Sequence, residues 1–234
     1  MLSPSTVPST RVAVAETRLP HSLRLVPNPE ITRGQFGEVG KRLFDVAVAV
    51  ALLLALSPLF LALFFLIKAS GRGPVVFRQR RIGQGCREFK MYKFRSMRHG
   101  TDLMQNTMIA DAQHGCFFKL KSDPRVTPFG KWLRRSSLDE LPQLWNILKG
   151  DMSLVGPRPL LVSELQRTPT MASHIRFCAK PGLTGLWQVS GRSNCTDEAR
   201  LRLDSEYTRH RGFALDLKIL VKTLPAVLSG DGAY

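Results

Sequence analysis

The hydrophobic pattern of the chain is dominated by one uninterrupted apolar segment near its start. Residues 46–67 contain no charged side chain and consist mainly of Ala, Val, Leu and Phe. At ~1.5 Å per residue, a helix of this length is long enough for the ~30 Å hydrocarbon core of a bilayer. No second segment of this kind follows. The pattern therefore predicts a protein that is attached to a membrane through this segment.

A Ser57-Pro58 pair interrupts the apolar segment near its middle. Proline lacks a backbone donor and its ring crowds the carbonyl four residues earlier, so we expect a kink or a break here. Lysine and arginine flank both ends of the segment, and the positive-inside tendency places both ends on the cytoplasmic side. A kinked single span, the alternative, does not satisfy this distribution. We therefore predict a re-entrant membrane helix over residues 41–68.

The pattern changes on either side of this segment. Residues 1–40 are rich in Pro, Ser, Thr and Arg and lack apolar periodicity, which predicts a flexible, basic tail and not a signal peptide. Residues 69–234 combine strand-like runs at 74–77 and 89–94 with a helical apolar pattern at 129–148, a charged helix at 194–211 and an apolar helix at 213–228. We expect the 194–211 helix to be exposed and the 213–228 helix to be amphipathic. The predicted fold class is a mixed α/β (α+β) domain that lies at the membrane.

Composition and charge add a preference for anionic partners. The 234 residues are 44% apolar, enough to form a core, and 34 Lys and Arg against 18 Asp and Glu leave a net charge of +16. Nucleic acid, acidic lipid headgroups and phosphorylated small molecules all remain possible partners. The four cysteines are scattered without a Cys-x-x-Cys pair, which indicates neither a zinc site nor a disulfide framework.

Candidate chemistry is concentrated in the segment 134–143. Asp139 and Glu140 are adjacent there and follow two adjacent arginines, Arg134 and Arg135. Neighbours on a helix point about 100° apart, so the two carboxylates are expected to have different roles. A carboxylate near guanidinium groups stays ionised and can act as a nucleophile or a metal ligand. A surface helix with an Arg135–Asp139 ion pair explains the same residues and is the favoured interpretation of the segment taken alone.

Two later segments have features of a small-molecule site. In residues 150–159, which we predict to form a loop, prolines stiffen the backbone on both sides of Arg158, and a guanidinium held in this way suits capture of a phosphate. Residues 181–192 combine turn glycines with Trp187 and polar side chains, which is typical of a pocket wall, although Trp187 fits an ordinary core equally well. The sequence contains no Walker-type phosphate loop, no His-Glu-x-x-His and no Gly-x-Ser-x-Gly motif.

Taken in order, eight motifs resemble one family, the monotopic phosphoglycosyl transferases, also called bacterial sugar transferases. The motifs are residues 41–45, 57–58, 76–83, 92–97, 123–127, 137–143, 150–159 and 181–192. Each motif is weak by itself, but their common order favours chemistry at Asp139 and Glu140 over a surface ion pair. The resemblance covers about residues 40–225 and implies a compact, exopolysaccharide-type form of the family.

The resemblance implies a covalent mechanism that depends on Mg²⁺. Asp139 and Glu140 match the Asp-Glu dyad of the family, which implies that both are catalytic and metal-binding. The Asp of the dyad attacks the phosphate that carries the sugar of a UDP-hexose, releases UMP and forms an aspartyl phospho-sugar. Undecaprenyl phosphate then accepts the sugar phosphate. The same match implies that Arg134, Arg158 and Lys93 bind substrate phosphate.

The resemblance also implies where the protein acts and with which partners. It places the membrane helix break at Ser57 and Pro58, and the catalytic domain, residues 69–234, at the cytoplasmic face of the bacterial inner membrane. The expected donors are UDP-galactose or UDP-glucose, for the first step of exopolysaccharide or related glycan assembly. Inner-membrane lipids and other assembly enzymes are expected partners, and nucleic acid is not. The alternatives are a non-enzymatic, membrane-anchored basic protein that binds acidic lipid or nucleic acid, and a catalytically silent scaffold.

Overall fold

The computed structural model describes residues 35–101, 123–167, 175–191 and 196–229. Its helices are α1 (Gln35–Ala55), α2 (Ser57–Ala69), α3 (Pro128–Arg135), α4 (Gln143–Lys149), α5 (Val162–Arg167), α6 (Leu186–Val189), α7 (Asp197–His210) and α8 (Phe213–Ser229). Its strands are β1 (Val76–Ile82), β2 (Glu88–Phe94), β3 (Ser153–Val155), β4 (Leu160–Leu161) and β5 (Gly182–Thr184). This is the mixed helix-and-sheet architecture that the sequence predicts.

The predicted apolar segment consists of α1 and α2, which are bent by 63° where they meet at Leu56. Pro58 lies in the first turn of α2, where a missing N–H costs no helical hydrogen bond. Ser57 Oγ donates to the carbonyl of Leu54 at 2.8 Å, across the bend. Among the described residues no single helix is long and apolar enough to cross a membrane, but this bent pair is, by length and composition.

The start of α1 differs from the predicted boundary. The helix begins at Gln35, within the 1–40 segment predicted to be a tail, and residues 1–34 lie outside the described part of the chain. An ion pair of 3.2 Å joins Glu38 in this additional turn to Arg211, directly after α7. A contact between residues so far apart in the sequence leaves no local pattern from which it could be predicted.

Two small sheets carry the strands. β1 and β2 form an antiparallel hairpin, with Val76 opposite Phe94, and β4 pairs with the other edge of β1. β3 and β5 form a parallel pair. The hairpin confirms both predicted strands, although β1 begins and ends later than 74–77. The prediction of a loop over 150–159 is wrong at β3. The pairing of β3 with β5 depends on glycines, because Gly156 packs directly on the backbone of Gly182. It therefore leaves no alternating apolar pattern in the sequence.

The helical pattern over 129–148 is divided into α3 and α4. Ser137 adopts a left-handed conformation with φ of 57°, and a 3₁₀ turn, Leu138–Glu140, follows it. Trp132 and Trp145, which belong to the apolar pattern, are each about half exposed. The segment therefore consists of two helices joined by a turn, and this turn contains the two adjacent carboxylates.

Both halves of the apolar segment pack on the domain through one face. On α1, Ala49 joins the largest core cluster, which also contains Leu144 and Ile219. On α2, Leu63 and Ile67 pack in a second cluster. Each fully buried Leu or Ile side chain among them contributes about 1.5–3 kcal/mol to folding. The other face of this segment exposes large apolar side chains, including Leu54, Leu61, Phe64 and Phe65.

A buried network of charges fixes the start of α1 to α8. Lys41 Nζ lies 2.7 Å from Asp216 Oδ2 and 3.7 Å from Asp45 Oδ1. The Tyr207 hydroxyl is 2.8 Å from the Asp216 carboxylate and 2.9 Å from the carbonyl of Val155. The network therefore joins the apolar segment to α7, α8 and β3.

Lys41→Met is expected to lower the free energy of unfolding by about 3 kcal/mol, because it leaves two buried carboxylates without their cation. Lys218→Met, on the exposed face of α8, is the matched control and is expected to change stability by less than about 0.5 kcal/mol. Unfolding of both variants in detergent, followed by circular dichroism, measures the difference. Equal stability of the two variants would show that the network does not hold α1 in place.

Candidate active site

The two adjacent carboxylates lie in the 3₁₀ turn between α3 and α4. Asp139 is buried, with 6% of its surface exposed, and the Glu140 side chain is 26% exposed. No regular helix is present at this position to point the two side chains about 100° apart. Both side chains line one cavity of about 760 Å³, which we call the central cavity. Chemistry that uses both carboxylates on one ligand is therefore possible.

The central cavity brings together all five residues predicted to bind substrate or metal. Asp139 and Glu140 come from the 3₁₀ turn, Lys93 from β2, Arg134 from α3, and Arg158 from the connection between β3 and β4. Lys93 Nζ donates to Glu140 Oε1 at 2.6 Å. Two carboxylates surrounded by three cationic side chains suit a ligand with several phosphate charges and a metal ion.

The two predicted helix-break residues lie elsewhere. Ser57 and Pro58 are the first residues of α2 and do not line the central cavity. At this position they influence the angle between α1 and α2 and do not contact a ligand in the central cavity.

Asp139 and Glu140 have opposite pKa shifts. Burial raises the pKa of Asp139 to about 6, although Lys93 acts against it, and the negative charge of Glu140 adds to the increase. Burial also opposes ionisation of Glu140, but Lys93 and Arg158 outweigh it, so the pKa of Glu140 is lowered. Most of the Asp139 carboxyl is still ionised at neutral pH, as predicted, but burial and not the nearby arginines sets the direction of its pKa shift. Neighbouring carboxyls with separated pKa values are typical of functional pairs.

Asp139→Asn is expected to stabilise the metal-free protein at neutral pH. The folded protein retains the Asp139 proton up to about pH 6, whereas the unfolded chain loses it near the ordinary value of 3.8. Stability therefore falls as the pH rises between these values and stays low above them. Asparagine does not ionise, so the variant avoids this loss of stability, which is roughly 3 kcal/mol at neutral pH. Thermal unfolding in EDTA should show a much larger stabilisation at about pH 7.5 than at about pH 4; equal stabilisation at both values would contradict the effect of burial.

Arg81 on β1 is a site residue that sequence reasoning missed. It lines the central cavity, is buried, and donates from Nη1 to the carbonyl of Pro159 at 3.1 Å. Burial lowers its pKa to about 10, with Glu164 acting in the opposite direction, so it remains charged at neutral pH. The sequence shows only that Arg81 directly precedes Ile82. That Ile82 is fully buried at the end of a strand is known from the structure.

A buried ion pair that was also missed fixes the backbone of Arg158. Arg176 Nη2 lies 2.8 Å from Asp204 Oδ2, and the two side chains are 1% and 3% exposed. Arg176 Nη2 also donates to the carbonyl of Arg158 at 2.6 Å. The pair therefore holds the backbone carbonyl of Arg158. We refer to Arg176 and Asp204 as the backbone clamp.

Trp187 is both a core residue and a wall of the central cavity, so each alternative left by the sequence is correct in part. It is buried and lines the cavity. The guanidinium of Arg158 lies 5.8 Å from its ring centroid and that of Arg200 lies 5.2 Å away. Both distances are within the range of cation–π attraction, which orients the two guanidinium groups along the cavity wall.

Arg134 is positioned by the end of β2. Its Nε donates to Ser96 Oγ at 3.0 Å. Gly130 of α3 packs directly on the carbonyl of Ser96, with no room for a Cβ, so α3 can approach this closely only with glycine there. Burial lowers the pKa of Arg134, while the nearby Asp139 carboxylate raises it.

The donor set of the dyad fits Mg²⁺. Within the described ranges no three His, Cys, Asp or Glu side chains form a group that could hold a metal ion by themselves. Mg²⁺ is usually bound by one or two carboxylates, with substrate phosphates and water as the other ligands. Asp139 and Glu140 supply such carboxylates, and the cations around them can bind the phosphates. They would hold a Mg²⁺ ion that arrives with a diphosphate substrate.

Comparison with known proteins gives the central cavity its context. The family model for bacterial sugar transferases matches residues 36–230. The chain belongs to the bacterial sugar transferase family. The resemblance indicated by the motifs is therefore confirmed, and the dyad, the cationic side chains and the bent helix pair are parts of one family member.

Relatives of this family member are named for sugar-phosphate transfer or for exopolysaccharide production. It is 44% identical over 199 residues to an undecaprenyl-phosphate galactose phosphotransferase of Salmonella typhimurium, with coverage of 83% of this chain and 41% of the relative. It is 43% identical over 215 residues to the UDP-glucose:undecaprenyl-phosphate glucose-1-phosphate transferase of Xanthomonas campestris pv. campestris, with coverage of 87% and 42%. The exopolysaccharide production protein ExoY of Rhizobium meliloti is 41% identical over 223 residues, or 93% and 98%. The match thus spans about two fifths of the first two relatives and nearly all of ExoY.

Proposed function

We propose that this protein transfers hexose-1-phosphate from a UDP-hexose to undecaprenyl phosphate and releases UMP, as the initiating step of exopolysaccharide or related glycan assembly. The observation that carries the proposal is a carboxylate pair, Asp139 and Glu140, in a cationic cavity of a bacterial sugar transferase. Galactose and glucose are the favoured sugars because they appear in the names of the relatives.

In the first step, a carboxylate oxygen of Asp139 attacks the phosphorus that carries the sugar. A new P–O bond forms while the P–O bond to UMP breaks, and UMP leaves with the electron pair. The sugar phosphate is then joined to Asp139 as an acyl phosphate. The pKa of Asp139, about 6, leaves most of this carboxyl ionised at neutral pH but poorly solvated, which makes it a reactive nucleophile.

In the second step, a phosphate oxygen of undecaprenyl phosphate attacks the same phosphorus. The P–O bond to Asp139 breaks and the carboxylate is regenerated, so neither step requires a net change in protons. Dividing the transfer in this way lets one carboxylate act first on a soluble donor and then on a lipid acceptor. The two substrates therefore do not have to react with each other directly.

The cationic side chains bind and orient the phosphates. Arg134 and Arg158, each with its position fixed by hydrogen bonds, complement the diphosphate of the donor. Lys93 keeps Glu140 ionised, and because it lines the same cavity we expect its ammonium group to contact the transferring phosphate as well. Mg²⁺ held by the dyad would neutralise charge on the transferring phosphoryl group.

We also propose that the protein lies at the cytoplasmic face of the bacterial inner membrane, with α1 and α2 as a re-entrant pair. The 63° bend and the positive charge at both ends of the segment support this placement. In a protein whose four cysteines are replaced by serine, Gly40→Cys and Ser70→Cys are expected to react with an impermeant maleimide from the same side of inverted membrane vesicles. Labelling from opposite sides would show that the segment spans the membrane.

The proposed activity is tested by UMP release from protein purified in nanodiscs. Incubation with UDP-galactose, UDP-glucose and their N-acetylated counterparts, with undecaprenyl phosphate and Mg²⁺, is expected to give turnover with one of the first two. Omission of the acceptor or addition of EDTA should stop turnover. Absence of UMP with every donor would overturn the proposal, and strongly salt-dependent DNA binding without turnover would favour the non-enzymatic alternative.

A further inference from the structure

We infer that the polyprenyl chain of the acceptor lies in an apolar groove between α1 and α8 that forms one part of the central cavity. This inference rests on the proposed function and adds to it a binding site for the hydrocarbon part of the lipid substrate. The groove is lined by Val48, Leu52, Leu220, Val221, Leu224 and Val227.

The central cavity has two chemically different parts. Around the dyad its walls are charged, with Lys93, Arg134 and Arg158 among them, whereas the walls from α1 and α8 are aliphatic. A nucleotide sugar is polar along its whole length and matches only the first part. A polyprenyl phosphate carries one charged end and a long hydrocarbon chain, and so matches both parts together.

The groove is continuous with the dyad. Leu183 of β5 and Gln188 of α6 line the central cavity and also line a small adjoining pocket with Lys93 and Glu140. Leu183 also packs on the same core cluster as Leu220. A ligand whose chain contacts the α8 wall can therefore place its phosphate at the catalytic carboxylates.

The walls of the groove are held together at one end and are exposed along their length. Phe44 of α1 and Phe213 of α8 pack edge to face with ring centroids 5.2 Å apart, and Lys41 pairs with Asp216 beside them. Farther along α8, the Leu224 side chain is 67% exposed although it lines the groove. The proposed re-entrant placement brings such surfaces to the hydrocarbon of the bilayer, from which a polyprenyl chain can enter sideways.

The groove is expected to act mainly through alignment. Hydrocarbon in the bilayer is already out of contact with water, so its transfer into an apolar groove changes the affinity for the acceptor only a little. The main effect of the groove is on the position of the bound acceptor. Correct placement of the acceptor phosphate beside the phosphorylated Asp139 is what the groove supplies. Obstruction of the groove should therefore affect the acceptor kinetics more strongly than the donor kinetics.

Leu224→Trp fills the groove, and Leu228→Trp is its matched control. Leu228 also lies on α8, is 86% exposed and does not line the central cavity, so the same substitution there changes membrane affinity without obstruction. We expect kcat/KM for undecaprenyl phosphate to fall about tenfold in Leu224→Trp relative to Leu228→Trp, while the KM for UDP-hexose differs less than about twofold. Equal acceptor kinetics in the two variants would overturn the inference.

A second measurement does not depend on turnover. p-Benzoylphenylalanine at position 224 is expected to form a photo-crosslink to radiolabelled undecaprenyl phosphate in nanodiscs, reduced by excess unlabelled undecaprenyl phosphate, whereas position 228 should give little. Crosslinks at position 224 only to bulk phospholipid, to a second copy or to another segment of the chain would overturn the inference. Crosslinking without any UMP release would contradict the proposed function alone, and turnover without crosslinking would contradict the groove alone.

Discussion

Asp139→Asn is expected to reduce UMP release by roughly 10⁴-fold or more, which is typical of the loss of a covalent nucleophile. The amide has nearly the same shape as the carboxyl but no anionic oxygen that could attack phosphorus. Two activities should be lost together: turnover with undecaprenyl phosphate, and release of about one UMP for each protein without acceptor. Both require the same bond to Asp139.

Asp151→Asn is the matched control for this experiment. Asp151 lies two residues after the end of α4 and does not line the central cavity, so the activity of this variant should stay within about twofold of wild type. Asp139→Asn is also expected to be more stable than wild type at neutral pH, which separates loss of the nucleophile from loss of folding. Substantial turnover in folded Asp139→Asn protein would exclude Asp139 as the attacking group.

Asp204→Ala is expected to lower the free energy of unfolding by about 3–5 kcal/mol, the cost of removing one partner from a buried ion pair. The remaining Arg176 side chain is 1% exposed, so its charge has almost no access to water. The variant also removes the carboxylate that orients Arg176 toward the carbonyl of Arg158. Loss of donor binding should accompany the loss of stability, with a higher KM for the UDP-hexose.

A double variant tests whether the effect comes from the backbone clamp. Arg176→Met combined with Asp204→Leu removes both charges and should be more stable than Asp204→Ala alone, because no unpaired charge remains. Denaturation of Arg176→Met, Asp204→Leu and the double variant gives the coupling energy, which we expect to exceed about 1 kcal/mol. The double variant should recover stability but not the low KM. Additive effects of the two single changes would show that the pair does not act as a unit.

The elements that were predicted correctly are those with a strong local pattern. The apolar segment with Ser57-Pro58 at its centre forms a bent helix pair, and the β1–β2 hairpin and α8 also follow the sequence pattern. The helix predicted over 194–211 is present as α7, although residues 194–195 lie outside the described part of the chain; Asp204 and Tyr207 on α7 are buried, contrary to the expectation of an exposed helix. Charge on a helix indicates a solvated face only where the charges lack buried partners, and the partner of Asp204 is Arg176.

The division of one predicted helix into α3 and α4 has a different cause. Ser137 has a positive φ, which serine adopts only when the surrounding structure requires it. No residue type typical of a left-handed position marked this site in the sequence. The backbone strain falls two residues before Asp139, in the turn that presents the dyad to the central cavity.

The site was predictable to the extent that its residues belong to contiguous motifs. Arg158 was identified by the prolines around it and Asp139 by its neighbours, whereas Lys93 was identified through the family resemblance. The residues that support them, Arg81 and the backbone clamp, come from distant parts of the chain, and only the fold brings them to the central cavity. The raised pKa of Asp139 was not predictable for the same reason, because burial depends on the complete fold.

The most direct test of the mechanism is a search for the sugar phosphate on Asp139. Protein in nanodiscs is mixed with the preferred UDP-hexose and Mg²⁺ without acceptor, quenched, digested and analysed by mass spectrometry, with UMP measured in parallel. The proposed mechanism predicts about one UMP for each active protein and a hexose-phosphate adduct on the Asp139 peptide that disappears when undecaprenyl phosphate is added before the quench. UMP that forms only when the acceptor is present, with no adduct at any time, would show direct transfer between the substrates and would contradict it.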